Sequence, residues 1–196
     1  SVHRVTFTGG DPLLEVSPVL IGTGCIASKT IKNVNIPDIG ECLVFLTSDN
    51  RIVAFTGHSE GLYNLSDDIS VNNGISQISM AQLSTANATE SHAVLLPNKF
   101  WYICFVTSSS ATNPDYALVY DYLNKSWWPW SNMNFGASAG VLVSNDNRMY
   151  AQGSTALQTF RLDIGDTDDG SAVNRAYITS RLSRGTTSLI QSSRGA

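Results

Sequence analysis

The chain reads as an all-β protein, and three observations lead there. Short runs of β-branched and aromatic residues recur along its length, turn residues separate them, and helical periodicity is scarce. The runs fall at 42–46, 51–55, 92–96, 100–106, 117–123, 140–144, 148–152, 158–164 and 175–182, each about the length of a strand. The one helical candidate is 75–86, where Ile75, Ile78 and Leu83 share a face, and that pattern fits a short strand equally well.

Turn signals group these runs into hairpins. Leu46-Thr47-Ser48-Asp49-Asn50-Arg51-Ile52 is echoed by Leu142-Val143-Ser144-Asn145-Asp146-Asn147-Arg148-Met149, and Leu95-Leu96-Pro97-Asn98-Lys99-Phe100-Trp101 fills the same role between them. Aligning Asn50, Asn98 and Asn147 gives spacings of 48 and 49 residues, the length of one four-stranded propeller blade. A sheet of that size cannot bury both faces alone, so stacking on neighbours would complete it. The pattern predicts a β-propeller-like domain over 1–184, with repeats at 32–80, 81–130 and 131–182 and a flexible polar tail over 185–196. Three or four blades either just close a ring or form part of a longer propeller, since closed propellers have about four to eight.

Composition narrows the function. Charged residues make up 14% and hydrophobic residues 42%, so polarity comes from Ser, Thr, Asn and Gly, as suits turn-rich sheets and assembling surfaces. The net charge of -4, with Lys and Arg scattered, offers no footprint for a phosphate backbone, and nucleic acid is not an expected partner. No apolar run is long enough for a membrane helix. The first residues, Ser1-Val2-His3-Arg4-Val5-Thr6-Phe7, lack an initiator Met and a basic-then-apolar leader pattern, and read like a chain entered in mid-strand. Cys25, Cys42 and Cys104 are too far apart in sequence for a zinc or redox motif, and are expected to be buried as small apolar residues with at most one disulfide.

No catalytic residue and no cofactor is predicted. His3, His58 and His92 stand apart, with no Ser, Cys or carboxylate beside them in a catalytic pattern; His58 is expected exposed in a turn and His92 partly packed at a strand start. Asp163, Asp166 and Asp168 lie in an oxygen-rich loop with Gly165 and Gly170 and are the candidates for a calcium site. Ala176 stands where an EF-hand would carry its bidentate Glu, so the loop reads first as a solvated turn with Asp side chains capping amides. The most unusual local feature is Trp127-Trp128-Pro129-Trp130. Strand alternation puts Trp128 and Trp130 on one face and Trp127 on the other, which makes the three a packing element between sheets or, alternatively, a platform for a sugar or a protein partner. The triplets beginning at Asn64, Asn87 and Asn124 fit the glycosylation acceptor pattern and carry no assigned role.

Three stretches resemble the repeat of tail and head-to-tail accessory proteins of bacteriophages. They are Gly22-Thr23-Gly24-Cys25-Ile26-Ala27 followed by the 43–54 hairpin, Gly57 and Ile69; Leu118-Val119-Tyr120-Asp121 returning through Trp127, Trp128 and Trp130; and Thr167-Asp168-Asp169-Gly170-Ser171-Ala172-Val173 leading into Tyr177-Ile178-Thr179-Ser180. The resemblance implies a propeller-like structural protein of the virion, in its tail, neck or tail hub, assembled in the host cytoplasm with other virion proteins as a homo- or hetero-oligomer and without enzymatic activity. The alternative expectation is a receptor- or glycan-binding propeller module.

Overall fold

Every strand among the described residues pairs antiparallel with a strand next to it in sequence. In the computed structural model the described residues are 2–20, 22–58, 60–70, 80, 83–109, 111–130, 142–143, 149–152, 159–162, 167–168, 171–172, 178–183 and 186–191. The chain divides into two compact units, 1–162 and 163–196. The second unit begins at the Asp- and Gly-rich run 163–170.

In the first unit, β1 (Val2–Phe7) and β2 (Leu14–Leu20) form a two-stranded arm. Sheet one is a meander of β3 (Lys32–Ile36), β4 (Gly40–Leu46), β5 (Ile52–Phe55) and β6 (Leu62–Asn64). Sheet two repeats the design with β7 (His92–Leu96), β8 (Trp101–Val106), β9 (Tyr116–Asp121) and β10 (Ser126–Trp130). A third sheet has β11 (Leu142–Val143), β12 (Met149–Gln152) and β13 (Thr159–Leu162). In the second unit, β14 (Thr167–Asp168) pairs with β15 (Ser171–Ala172) and β16 (Ile178–Ser183) with β17 (Thr186–Gln191). Over the described residues the protein is thus all-β, with one α-helical turn at Asp67–Ser70 and 3-10 turns at Ser28–Thr30, Ala88–Glu90 and Pro97–Lys99.

β17 occupies residues placed in a flexible polar tail by composition; Thr186, Thr187 and Ile190 are β-branched and supply strand propensity inside that polar stretch. The helical candidate at 75–86 falls largely outside the described residues. Of its residues, Met80 and Leu83 are buried, and Leu83 makes an isolated antiparallel bridge to Ser108.

Alternation along each strand decides which face a side chain covers. Val34, Ile36, Cys42, Val44, Leu46, Ile52 and Ala54 of sheet one meet Ala93, Tyr102, Cys104, Val106, Leu118 and Tyr120 of sheet two in one continuous core. The opposite face of sheet one, Phe45, Val53 and Phe55, receives Val2 and Val19 from the base of the arm. Sheet two is buried on both faces: Tyr102, Ile103, Cys104, Phe105, Ala117 and Val119 are all at 0% exposure. A strand wet on one side alternates polar and apolar residues, whereas Tyr-Ile-Cys-Phe-Val runs apolar throughout because both sides are dry.

The sheets approach closest at their first strands, where β7 lies near β3 on one side and near β11 on the other. Across sheet two the gap facing sheet one is filled by Ala93 and Leu95 on β7, Tyr102, Cys104 and Val106 on β8, Leu118 and Tyr120 on β9 and Trp127 on β10.

Two turns also join the sheets. Asp38 in the β3–β4 turn and Lys125 in the β9–β10 turn both take left-handed backbone, at φ 70° and 52°. Their side chains pair at 2.8 Å, and the Lys125 ammonium lowers the Asp38 carboxyl below its usual range, first by its hydrogen bond and then by its charge.

Candidate interaction surface

The tryptophan strand divides as alternation requires. Trp127 points between sheets one and two, stacks on Tyr120 with ring centroids 4.6 Å apart, and donates from Nε1 to the Leu65 carbonyl at 2.7 Å. Trp128 and Trp130 lie on the other face of sheet two with Trp101, a residue the local reading of the run did not include. Trp101 packs its ring edge-to-face against Trp128 at 5.3 Å and against Trp130 at 6.5 Å, and the Lys99 ammonium sits 4.7 Å from its ring centre. Register explains the grouping: Trp101 opens β8 on the face shared by Ile103 and Phe105, and Trp128 and Trp130 stand across β9 from those two. Its sequence signal was parity counted through paired strands, which a single run does not carry. All four indoles are half-buried.

His92 is buried on the Trp101 face, stacked on Phe105 at 4.9 Å, with Nδ1 3.4 Å from the Glu90 carbonyl and Nε2 without a hydrogen-bond partner. Burial pushes its pKa down, the Glu90 carbonyl opposes that, and Lys29 and Lys32 add to it. His58 is exposed, as its turn position implies, and borders a shallow open hollow with Arg4, Ser17, Pro18 and Val19. His3 is exposed on β1.

The cysteines are all free thiols; Cys42 and Cys104 are buried and Cys25 is half-buried. Burial pushes the Cys104 thiol up to about 12 and raises Cys25 and Cys42. Among the described residues no three His, Cys, Asp or Glu side chains converge to hold a metal. Of the calcium candidates, Asp163 and Asp166 lie outside the described residues, and Asp168 is placed by its backbone, in β14 opposite Ser171.

Carboxylates and amides instead secure turns. Asp121 accepts the backbone N–H groups of Leu123 and Asn124 at 2.9 Å each and the Asn124 amide at 2.7 Å. Asp115 accepts the Ser108 N–H and hydroxyl at 2.7 and 2.6 Å. Asn64, first residue of one acceptor triplet, accepts the Ser66 N–H at 3.1 Å.

Among the described residues the large apolar side chains that are more than half exposed lie on the arm. Val5, Phe7, Leu14 and Val16 are 60%, 68%, 53% and 61% exposed, and the register Val5 opposite Val16 and Phe7 opposite Leu14 puts all four on one face. Comparison of the chain with protein-family models, with curated proteins and with solved structures finds no match in any of the three.

Proposed function

We propose that this chain is a structural module of a bacteriophage particle, a propeller-like stack of antiparallel meanders that acts through protein–protein contacts. The observation that carries the reading is the arm: four large apolar side chains on one exposed face. A monomeric soluble protein rarely leaves so concentrated an apolar face in water without a partner for it. The propeller part is supported by sheet two being buried on both faces and by β3, β7 and β11 lying side by side, as first strands do around an axis. The virion part is supported by the resemblance carried by 22–27, 118–130 and 167–180. In this reading the module resides in the tail, neck or tail hub and catalyses nothing.

The test is the mass of the purified chain by light scattering, alone and with a tail fraction of phage particles. A ring-sized oligomer or stable incorporation supports the reading. An inert monomer that binds glycan arrays through Trp101, Trp128 and Trp130 replaces it with the receptor-binding one, for which the half-exposed indoles are the favouring observation. Their edge-to-face packing on one another favours a packing role, because it uses ring surface a sugar would need.

A further inference from the structure

We propose that β1 pairs edge-to-edge with β1 of a second copy of this chain, so that two arms make one four-stranded antiparallel sheet. The inference rests on the assembly reading above and names the partner and the edge.

The arm is built like half a sheet. Its apolar packing on sheet one is at its base, through Val2 and Val19, with Arg4 donating to the Gly57 carbonyl at 3.2 Å, and residues 3–16 are exposed. A two-stranded ribbon is marginal in water and gains independent stability from three or more strands with an apolar face. The protein's own complete sheets have four. Among the described residues neither β1 nor β2 has a third strand beside it.

The two open edges differ. β2 carries Pro18, which lacks an N–H and interrupts any ladder built on its strand. β1 is Val-His-Arg-Val-Thr-Phe, without proline, rich in β-branched and aromatic residues, and without the lysines that guard natural edges. A second copy offers the same edge by symmetry, which makes a two-fold pairing self-complementary.

Charge and pattern choose the register. With Val5 opposite Val5, Arg4 stands across from Thr6 and His3 from Phe7 of the second copy, so no two arginines face each other. Val16, Val5, Val5 and Val16 then run as one apolar row across four strands. That row doubles the exposed face of a single arm into one broad enough to dock on a further sheet.

The experiment uses the full chain. Sedimentation and light scattering of the wild type are expected to show a dimer, and Val5→Lys with Phe7→Lys is expected to weaken it by roughly tenfold or more. Tryptophan fluorescence and near-UV circular dichroism report whether the sheets remain intact, since the arm's outer residues touch neither core. In a Cys25→Ser background, Val5→Cys is expected to give an interchain disulfide, because directly opposed residues lie about 4.5–5.5 Å apart, within disulfide reach. A wild type that is monomeric at every concentration overturns the proposal, as does a dimer indifferent to the two lysines or one in which Val5→Cys fails to cross-link. A monomer that still enters the tail fraction sinks self-pairing and leaves the assembly reading standing; a β1-linked dimer that stays out of every particle fraction does the reverse.

Discussion

The hydroxyl of Tyr102 donates to the carbonyl of Thr30 at 3.0 Å, across 72 residues of sequence and inside a core where Tyr102 has no exposed surface. Thr30 is the other half of a small hub: its hydroxyl donates to the Ala27 carbonyl at 2.6 Å and accepts the Leu46 N–H at 3.1 Å. The segment leading into sheet one is thereby tied to the second strand of sheet two. Tyr102→Phe leaves the Thr30 carbonyl without that donor and is expected to cost about 1–2 kcal/mol, read as a lower urea midpoint at unchanged slope.

Trp127 makes the second long-range tie, to Leu65. Trp127→Phe keeps an aromatic ring against Tyr120 but removes the indole donor, with an expected loss of about 1–2 kcal/mol. Trp127→Ala also removes the ring packed on Tyr120 and the core, and is expected to lose about 3 kcal/mol or more. Thermal denaturation of the two variants separates hydrogen bond from volume.

Thiol chemistry should follow burial. Iodoacetamide on the native protein is expected to label Cys25 slowly and to leave Cys42 and Cys104 untouched, since only thiolate reacts and burial holds all three protonated, Cys104 most of all. Mass spectrometry of peptides before and after unfolding checks the order.

His92 makes stability depend on pH. Its folded pKa lies below the unfolded value of 6.5, because burial disfavours the imidazolium. The unfolded state therefore binds the proton more readily, so this contribution to stability is complete above 6.5 and is lost as pH falls through that value toward the folded pKa. His92→Phe keeps the stacking on Phe105 and is expected to flatten that limb of the stability–pH curve, measured by denaturant titration between pH 5 and 8.

Sheet two was nearly all legible in the sequence, because dry strands announce themselves as apolar runs, as Tyr102 to Val106 and Ala117 to Tyr120 do. β3 was not: in Lys-Asn-Val-Asn-Ile only Val34 and Ile36 are buried, and two Asn residues mask a two-residue period with turn chemistry. β1 was read as mid-strand from its own residues, while β2 escaped for the opposite reason, having good strand residues with no core to explain them. The hairpin alignment met a different obstacle. Asn50 sits between the second and third strands of sheet one, and Asn98 between the first and second strands of sheet two. Their turns differ as well, for Asn50 itself is left-handed at φ 56° whereas Phe100 takes that role beside Asn98, at φ 58°. Turn residues mark that a chain reverses, not which strands of a sheet it joins; Asn147 lies outside the described residues. In the site, the split of Trp127 from Trp128 and Trp130 followed from alternation within one strand, while Trp101 needed the pairing of three.

The strictly sequential strand order has a kinetic meaning. Each sheet is a contiguous stretch in which every strand finds its partner across one short connection, so no strand waits for a distant segment before it can pair. All-β proteins are slow to fold when their pairings span the chain, since long loops must close before any contact repays the lost entropy. The contacts that do span the chain are those between the sheets, such as the Tyr102 hydroxyl on the Thr30 carbonyl, and they close loops already shortened by the sheets themselves.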